Sequence, residues 1–523
     1  MVPGAFARRG KHGKLGVSGG TKTPDAKHMM AARGTLALGA ALALAGCGVG
    51  PRYHRPAMPV PAAFTANPPP DAAPLPSTTW WRSFGAPELD RLIDLAAAHS
   101  LDVQAAAARI IQADQAARVA GSPLLPGVTG TLQQNYQRTG QSQSLAGLPP
   151  AEAALFGGGH TYTETRTWSA ELSASYEVDF WGKNLDALRA AQATALGSRY
   201  DAQTTWLTTS SSIATTYFEA AGYRDRLAIA EHNLKVSLDL LGAYRGRLSV
   251  GTASLLDVSQ QEALVASTRA QIPALQSEYQ QEVIALGILV GLPPEQISID
   301  PAPLTQLSLP VIGTGLPADL LRRRPDVAYA EAQLISQNQT VRQDVANFYP
   351  SLQLTAEGGL SSTALSMLTG PGTTVASLAN SITQTIFDNG TKEGTLGEAK
   401  GRYKELAADY AKAFLQALTD TETALTQANY AATQETLEAE AVRTAQRSAD
   451  IVNAQLSAGT VDITTVLNTQ TTLFNDEDTL AQVRVSRFMA LVSLYKALGG
   501  GWSTDAVPWP RARSVYGAAS ANK

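Results

Sequence analysis

Reactive side chains are few and scattered in this chain of 523 residues. Its single cysteine, Cys47, leaves no internal disulfide framework and no cysteine-based metal cluster. His99, His160 and His232 stand singly, and neither HExxH nor GxSxG occurs. Gly157 to Gly159 lack the Lys-Ser/Thr that would complete a phosphate cradle. No catalytic, cofactor-binding or metal-binding residue is therefore expected, and the chain does not read as an enzyme. Cys47 stands out by its position. Residues 33 to 47, RGTLALGAALALAGC, pass from a basic residue through a short apolar run to small residues that end on the thiol. That is the layout of a secretory signal, and the run is too short to span a bilayer.

Leu44-Ala45-Gly46-Cys47 resembles a bacterial lipobox, which implies cleavage before Cys47 and lipidation of the new N-terminus. Gly48 follows the cysteine where an Asp would favour inner-membrane retention, so the resemblance implies outer-membrane sorting. Residues 1–28, before Met29 and Met30, read as upstream sequence, and 1–46 as upstream sequence plus signal. Those 46 residues carry seven Lys/Arg and one acid, so their removal takes 41 basic and 45 acidic residues to 34 and 44, a net charge of −10 instead of −4. An acidic mature chain without a basic cluster argues against a nucleic-acid partner.

The strictest alternation in the chain lies at Trp168–Gly182. Trp168, Ala170, Leu172, Ala174, Tyr176, Val178 and Phe180 share one face of a strand, and Ser169, Glu171, Ser173, Ser175, Glu177 and Asp179 share the other. At about 3.3 Å per residue the stretch is long enough to cross a bilayer. Taken alone it fits a soluble hairpin equally well.

Around this strand the chain divides in order. Residues 47–86 are an extended, proline-rich tether that need not pack. A helix is expected from Pro87 to about Ala120, and Val128, Gly130, Leu132 and Tyr136 alternate along a first strand. A Gly/Ser/Pro-rich segment from Gly140 to His160 follows. Leu227, Leu234, Leu241 and Leu248 recur at heptad steps in a proline-free helix from Leu185 to Ser249. Such a helix is roughly 100 Å long, more than a globular core can hold. Val250-Gly251-Thr252 breaks it, and the pattern resumes to Gly291 with a kink expected at Pro273.

The programme then repeats: 87–296 is a first copy, 297–316 a linker and 317–498 a second copy, with a mobile tail at 499–523. Pro126 and Pro350 are 224 residues apart, whereas Gly182 and Gly390, like Gly251-Thr252 and Gly459-Thr460, are 208 apart. The difference of 16 falls within the hairpins and is expected in the first hairpin loop. The second copy offers Leu352, Leu354, Ala356 and Leu360 on one strand and Leu378, Ile382 and Ile386 on another, about 374–387. Helices of about 391–456 and 462–498 close it.

Four membrane-length strands cannot leave open edges in lipid, and about eight is the practical minimum for a barrel, so the chain must oligomerise. A barrel whose strands run on into such helices conducts.

The chain resembles the TolC, OprM and NodT type of outer-membrane efflux protein over nearly all its mature length. The resemblance rests on Cys47-Gly48-Val49-Gly50-Pro51 with Tyr53, Arg55 and Pro56; on Tyr176 to Gly182; on Leu248 to Thr252 with Leu256-Asp257-Val258; on Phe348-Tyr349-Pro350; on Ile386 to Gly390; and on Leu456 to Thr460. It implies a membrane α+β fold: a homotrimer with a twelve-stranded transmembrane β-barrel, four strands per chain, continued by a periplasmic α-helical barrel. It also implies a periplasmic adaptor and an inner-membrane pump of the resistance-nodulation-division class, an N-terminus anchored in outer-membrane lipid, and passive conduction across the outer membrane.

Gly251, Thr252, Leu256, Asp257, Gly459 and Thr460 would then lie at the adaptor-docking tips, and Gly182 and Gly390 where strand becomes tunnel helix. Asp462, Thr464, Asn468 and Thr471 would line the tunnel entrance; relatives often place an acid where this chain has Asn468, and some place basic residues near Thr471. A second reading is a lipid-anchored structural or adhesive coiled-coil protein of the cell envelope.

Overall fold

A computed structural model describes residues 49–66, 74–142 and 160–502. Cys47 and the segment after Trp502 lie outside the described residues. The single helix expected over 87–120 is two, α1 (Pro87–His99) and α2 (Leu101–Ala120), parted at Ser100, whose ψ of 125° leaves the helical region. The break lies against a distant segment. Gly291 packs so closely on the His99 carbonyl oxygen that a Cβ there would lie 2.2 Å from it.

Two strands follow, β1 (Gly127–Ser142) and β2 (His160–Val178). After β2 come α3 (Lys183–Ser249) and α4 (Leu255–Val290), which contains Pro273 without ending there. The second copy runs α5 (Pro325–Ala346), β3 (Ser351–Ser362), β4 (Thr374–Thr383), α6 (Thr391–Ser457) and α7 (Ile463–Ala497). Helices α3 and α6 are each 67 residues long. No helix among the described residues is long and apolar enough to cross a membrane.

The strands form one antiparallel sheet in the order β1-β2-β3-β4. Their ends correct three expectations. β1 runs to Ser142, into the segment expected to be loop, while β2 starts at His160, ahead of Trp168, and stops at Val178, leaving Asp179 and Phe180 outside. β4 stops at Thr383, short of Ile386. The strands of the first hairpin have 16 and 19 residues against 12 and 10 in the second. Most of the length difference between the copies is therefore strand, not loop.

The main core lies where α1 and a 3-10 turn (Trp80–Phe84) pack across the long helices. Trp80 stacks on Tyr495 at 5.0 Å between ring centroids, and Phe84 and Phe218 meet edge to face at 5.0 Å. Aromatic burial there joins the N-terminal region to both repeats. The tether, which by composition need not pack, does so. Arg55 donates to both Glu331 carboxylate oxygens, at 2.7 and 2.6 Å, and the backbone N–H groups of Thr65 and Ala66 donate to Glu422. Specific carboxylates on α5 and α6 hold it, which composition does not reveal. The start of the expected mobile tail is likewise packed: Gly500 N–H donates to the Tyr495 carbonyl, and Trp502 meets Tyr200 edge to face.

Candidate functional site

In an antiparallel sheet, directly paired residues point to the same face. Leu172 pairs with Gly130 and Gly358, Ala174 with Val128 and Ala356, Ala170 with Leu132 and Leu360, and Val178 with Leu352, which pairs on to Ile382. One face is thus mainly apolar across all four strands, interrupted by Gln134, Ser362, Thr374 and Asn380. The other carries Thr129, Thr131, Gln133, Ser169, Glu171, Ser173, Glu177, Gln353, Thr355, Glu357, Ser377 and Ser381. Leu132, Leu172, Leu378 and Ile382 are 72%, 62%, 86% and 75% exposed, so the apolar face is uncovered within one chain. The outer edges of β1 and β4 also have no partner strand among the described residues. Such a sheet needs both an apolar solvent for its face and further strands for its edges.

Gly182 and Gly390 occupy the N-cap positions of α3 and α6 with φ of +77° and +82°, left-handed values that let the chain swing from strand into helix. Carboxylates secure both turns. Asp179 accepts from the backbone N–H groups of Asn184 and Leu185, at 3.2 and 2.8 Å. Asp388 accepts from those of Gly390 and Lys392. Glu171 and Glu177 lie within β2, whereas the strand ends before Asp179, whose charge satisfies open N–H groups of α3.

At the far ends of the long helices the two copies are nearly superimposable in their bonding. Gly251 has φ of +74° and donates to the Leu248 carbonyl at 3.0 Å; Gly459 has φ of +72° and donates to the Leu456 carbonyl at 3.1 Å. Thr252 N–H and Oγ1 both donate to the Arg247 carbonyl, at 2.8 and 3.1 Å, and Thr460 does the same to Gln455, at 3.0 and 3.2 Å. The tips also touch. Leu241, Tyr244 and Val258 pack with Leu248, Leu456 and Ile463, and Arg247 donates to the Leu456 carbonyl. Arg247 was not singled out from the sequence, although the 208-residue offset from Gln455 marks it as half of a repeated pair. Val250, Leu255 and Leu256 are 73%, 70% and 64% exposed beside the Gly251-Thr252 turn, an apolar cluster suited to a partner surface.

Both acids near the tips serve as caps. Asp257 and Ser254 form a reciprocal capping box at the start of α4. Asp462 accepts from the Thr465 N–H and hydroxyl, each at 2.9 Å, and these donors hold its carboxyl below the usual carboxylate range. Thr464, Asn468 and Thr471 follow it on α7, each exposed, at spacings that put them on one helical face.

The profile of the family described as outer membrane efflux protein matches residues 92–292 and 316–500. The chain is 37% identical over 426 residues to the pyoverdine export outer membrane protein OpmQ of Pseudomonas aeruginosa, with 82% of this chain and 88% of that one covered. It is 28% identical over 469 residues to the cation efflux system protein CusC of Escherichia coli, with 88% and 97% covered. Among solved structures, the outer-membrane channel OprN superposes with a TM-score of 0.79 at 23% identity, over 87% of this chain and 100% of that one.

Proposed function

The chain belongs to the outer membrane efflux protein family and is an outer-membrane efflux channel; from that premise we propose that three copies form the passive exit duct of a tripartite system. The observation that carries this is the sheet with two unpartnered edges and an uncovered apolar face, continuous with helices of 67 residues. Three sheets of four strands would close a twelve-stranded barrel with the apolar face in lipid and the Ser/Thr/Gln/Glu face around water. The helices would extend the duct into the periplasm.

Cys47 would carry the lipid anchor. The turns at Gly251-Thr252 and Gly459-Thr460, with Leu256 and Asp257, would receive a periplasmic adaptor, and Thr464, Asn468 and Thr471 with Asp462 would border the entrance. An inner-membrane pump, of the resistance-nodulation-division class, would supply cargo and energy. A relative named for pyoverdine export and another named for cation efflux match this chain over most of their lengths. A duct whose polar walls carry hydroxyls, amides and a few carboxylates offers no dedicated cargo site, so cargo choice falls to the pump.

Electron microscopy of the detergent-solubilised protein tests the reading. A threefold particle with a long cylinder is expected; a compact monomer refutes it. Replacing Cys47 and exchanging the signal separates the channel from a lipid-anchored coiled-coil protein, because the channel still requires detergent.

A further inference from the structure

Above the pair Trp168↔Ser362, β2 has no β3 partner, yet its pairing with β1 continues through Arg166↔Tyr136, Glu164↔Arg138 and Tyr162↔Gly140. The first hairpin therefore projects past the rim of the sheet as a two-stranded ribbon, at the end remote from the helices. Its two faces differ. Tyr136, Arg138, Tyr162, Glu164 and Arg166 all continue the apolar, lipid-directed face of Leu132 and Leu172, whereas Asn135, Gln137, Thr139, Thr163, Thr165 and Thr167 continue the water-directed face. Every described charge and aromatic ring of the ribbon is on one side. A ribbon standing in water has no reason for that segregation.

The contacts within the cluster fit an anion-binding surface. The Arg138 guanidinium lies 4.2 Å from the Tyr162 ring centroid and 3.7 Å from Glu164 Oε1, in a pair exposed on both sides. Arg166 lies 5.5 Å from the Tyr136 ring centroid and forms no ion pair among the described residues. Tyrosine rings lie within cation–π range of both guanidiniums, and one carboxylate does not neutralise the two. Arg138 and Glu164 lie about 13 Å along the strand beyond Trp168, or about 10 Å in height on a tilted strand, which is headgroup level above the apolar band.

We infer that this outward face of the ribbon binds the phosphorylated saccharide headgroup of outer-leaflet lipopolysaccharide, with Arg138 and Arg166 on phosphate oxygens and Tyr136, Tyr162 and Glu164 beside the sugar. This rests on the channel reading, which puts the ribbon at the cell exterior, where phosphate at headgroup level is carried by glycolipid. Planar guanidinium forks match phosphate oxygens, and tyrosines suit the boundary between acyl chains and water.

The test uses the full-length protein in detergent, with native mass spectrometry after incubation with bisphosphorylated lipid A, dephosphorylated lipid A or phosphatidylglycerol. Wild type is expected to retain bisphosphorylated lipid A about tenfold better than R138Q/R166Q, and to retain the other two lipids poorly. Equal retention by the double variant, or by wild type for dephosphorylated lipid A or phosphatidylglycerol, overturns the site. Oligomer mass in the same spectra and conductance in lipid bilayers judge the channel reading separately: a conducting oligomer whose lipid A retention ignores the substitutions loses only this site.

Discussion

Arg342 Nε donates to Asp186 Oδ2 at 3.0 Å, and the Asp186 side chain is fully buried. Arg189 shares the same carboxylate from its other oxygen, at 3.1 Å. The pair ties α3, just past Gly182, to α5, just before β3, and so locks the first repeat to the second directly beneath the sheet. Asp186→Ala strands a nearly buried guanidinium and is expected to cost about 3–5 kcal/mol. Arg245→Ala removes an exposed pair with Glu262 and should cost less than about 1 kcal/mol. Thermal unfolding of the two variants in detergent checks the contrast; equal midpoints would mean that Asp186 bears no special load.

Adjacent residues of β2 should respond oppositely to one substitution. Leu172→Arg puts a guanidinium on the lipid-directed face near mid-height and is expected to cost about 2–4 kcal/mol, seen as loss of assembled oligomer. Ser173→Arg puts it on the water-directed face and should assemble normally while shifting single-channel conductance and ion selectivity. The reverse result would invert the sheet.

Spacing made much of this architecture legible. Gly182, Gly251, Gly390 and Gly459 mark both ends of α3 and α6, because each sits where the backbone needs a left-handed turn, and their offset exposed the duplication. The break at Ser100 is hard to read because one serine is its only local mark, a residue type that caps helices but also occurs within them; in the fold it lies against Gly291, far along the chain. Grouping Asp179 with Glu177 by parity overruns the strand, because parity says nothing of where a strand stops. The anchoring of the tether was hidden as well, because Glu331 and Glu422 look like ordinary surface acids until Arg55, Thr65 and Ala66 are brought to them. Thr464, Asn468 and Thr471 were brought forward only by family resemblance, and one chain alone does not bring them together across an entrance.

Backbone and surface contributions at the tips can be separated. No heavy atom of the described residues lies within 4 Å of a Cβ built on Gly251, so added bulk is tolerated and only the φ of +74° resists it. Gly251→Val is expected to strain the turn by about 1–2 kcal/mol and to lower adaptor-dependent efflux with the oligomer intact. Gly251→Asn, which tolerates left-handed backbone, should stay near wild type. Leu256→Asp leaves the turn alone and should weaken adaptor binding by itself. Pull-down with the cognate adaptor and hydrogen exchange over residues 248–256 distinguish these effects; a Leu256→Asp protein that binds normally removes Leu256 from the docking surface.

Acidic residues between α3 and α4 should make stability fall as pH rises. Burial raises the Glu219 carboxyl, and burial followed by the charges of Glu219 and Glu278 raises Glu282. Between the ordinary glutamate value, about 4.3, and these raised values, the folded state binds more protons than the unfolded one. Stability is therefore highest below that window, declines through it and levels off above. Glu219→Gln removes one desolvated charge and its repulsion of Glu282. The variant should match wild type at the acidic end, exceed it at neutral pH and show a shallower decline. Thermal midpoints measured across the window test the sign directly, because a variant less stable than wild type at neutral pH would show that Glu219 is held by a favourable partner instead of merely being tolerated.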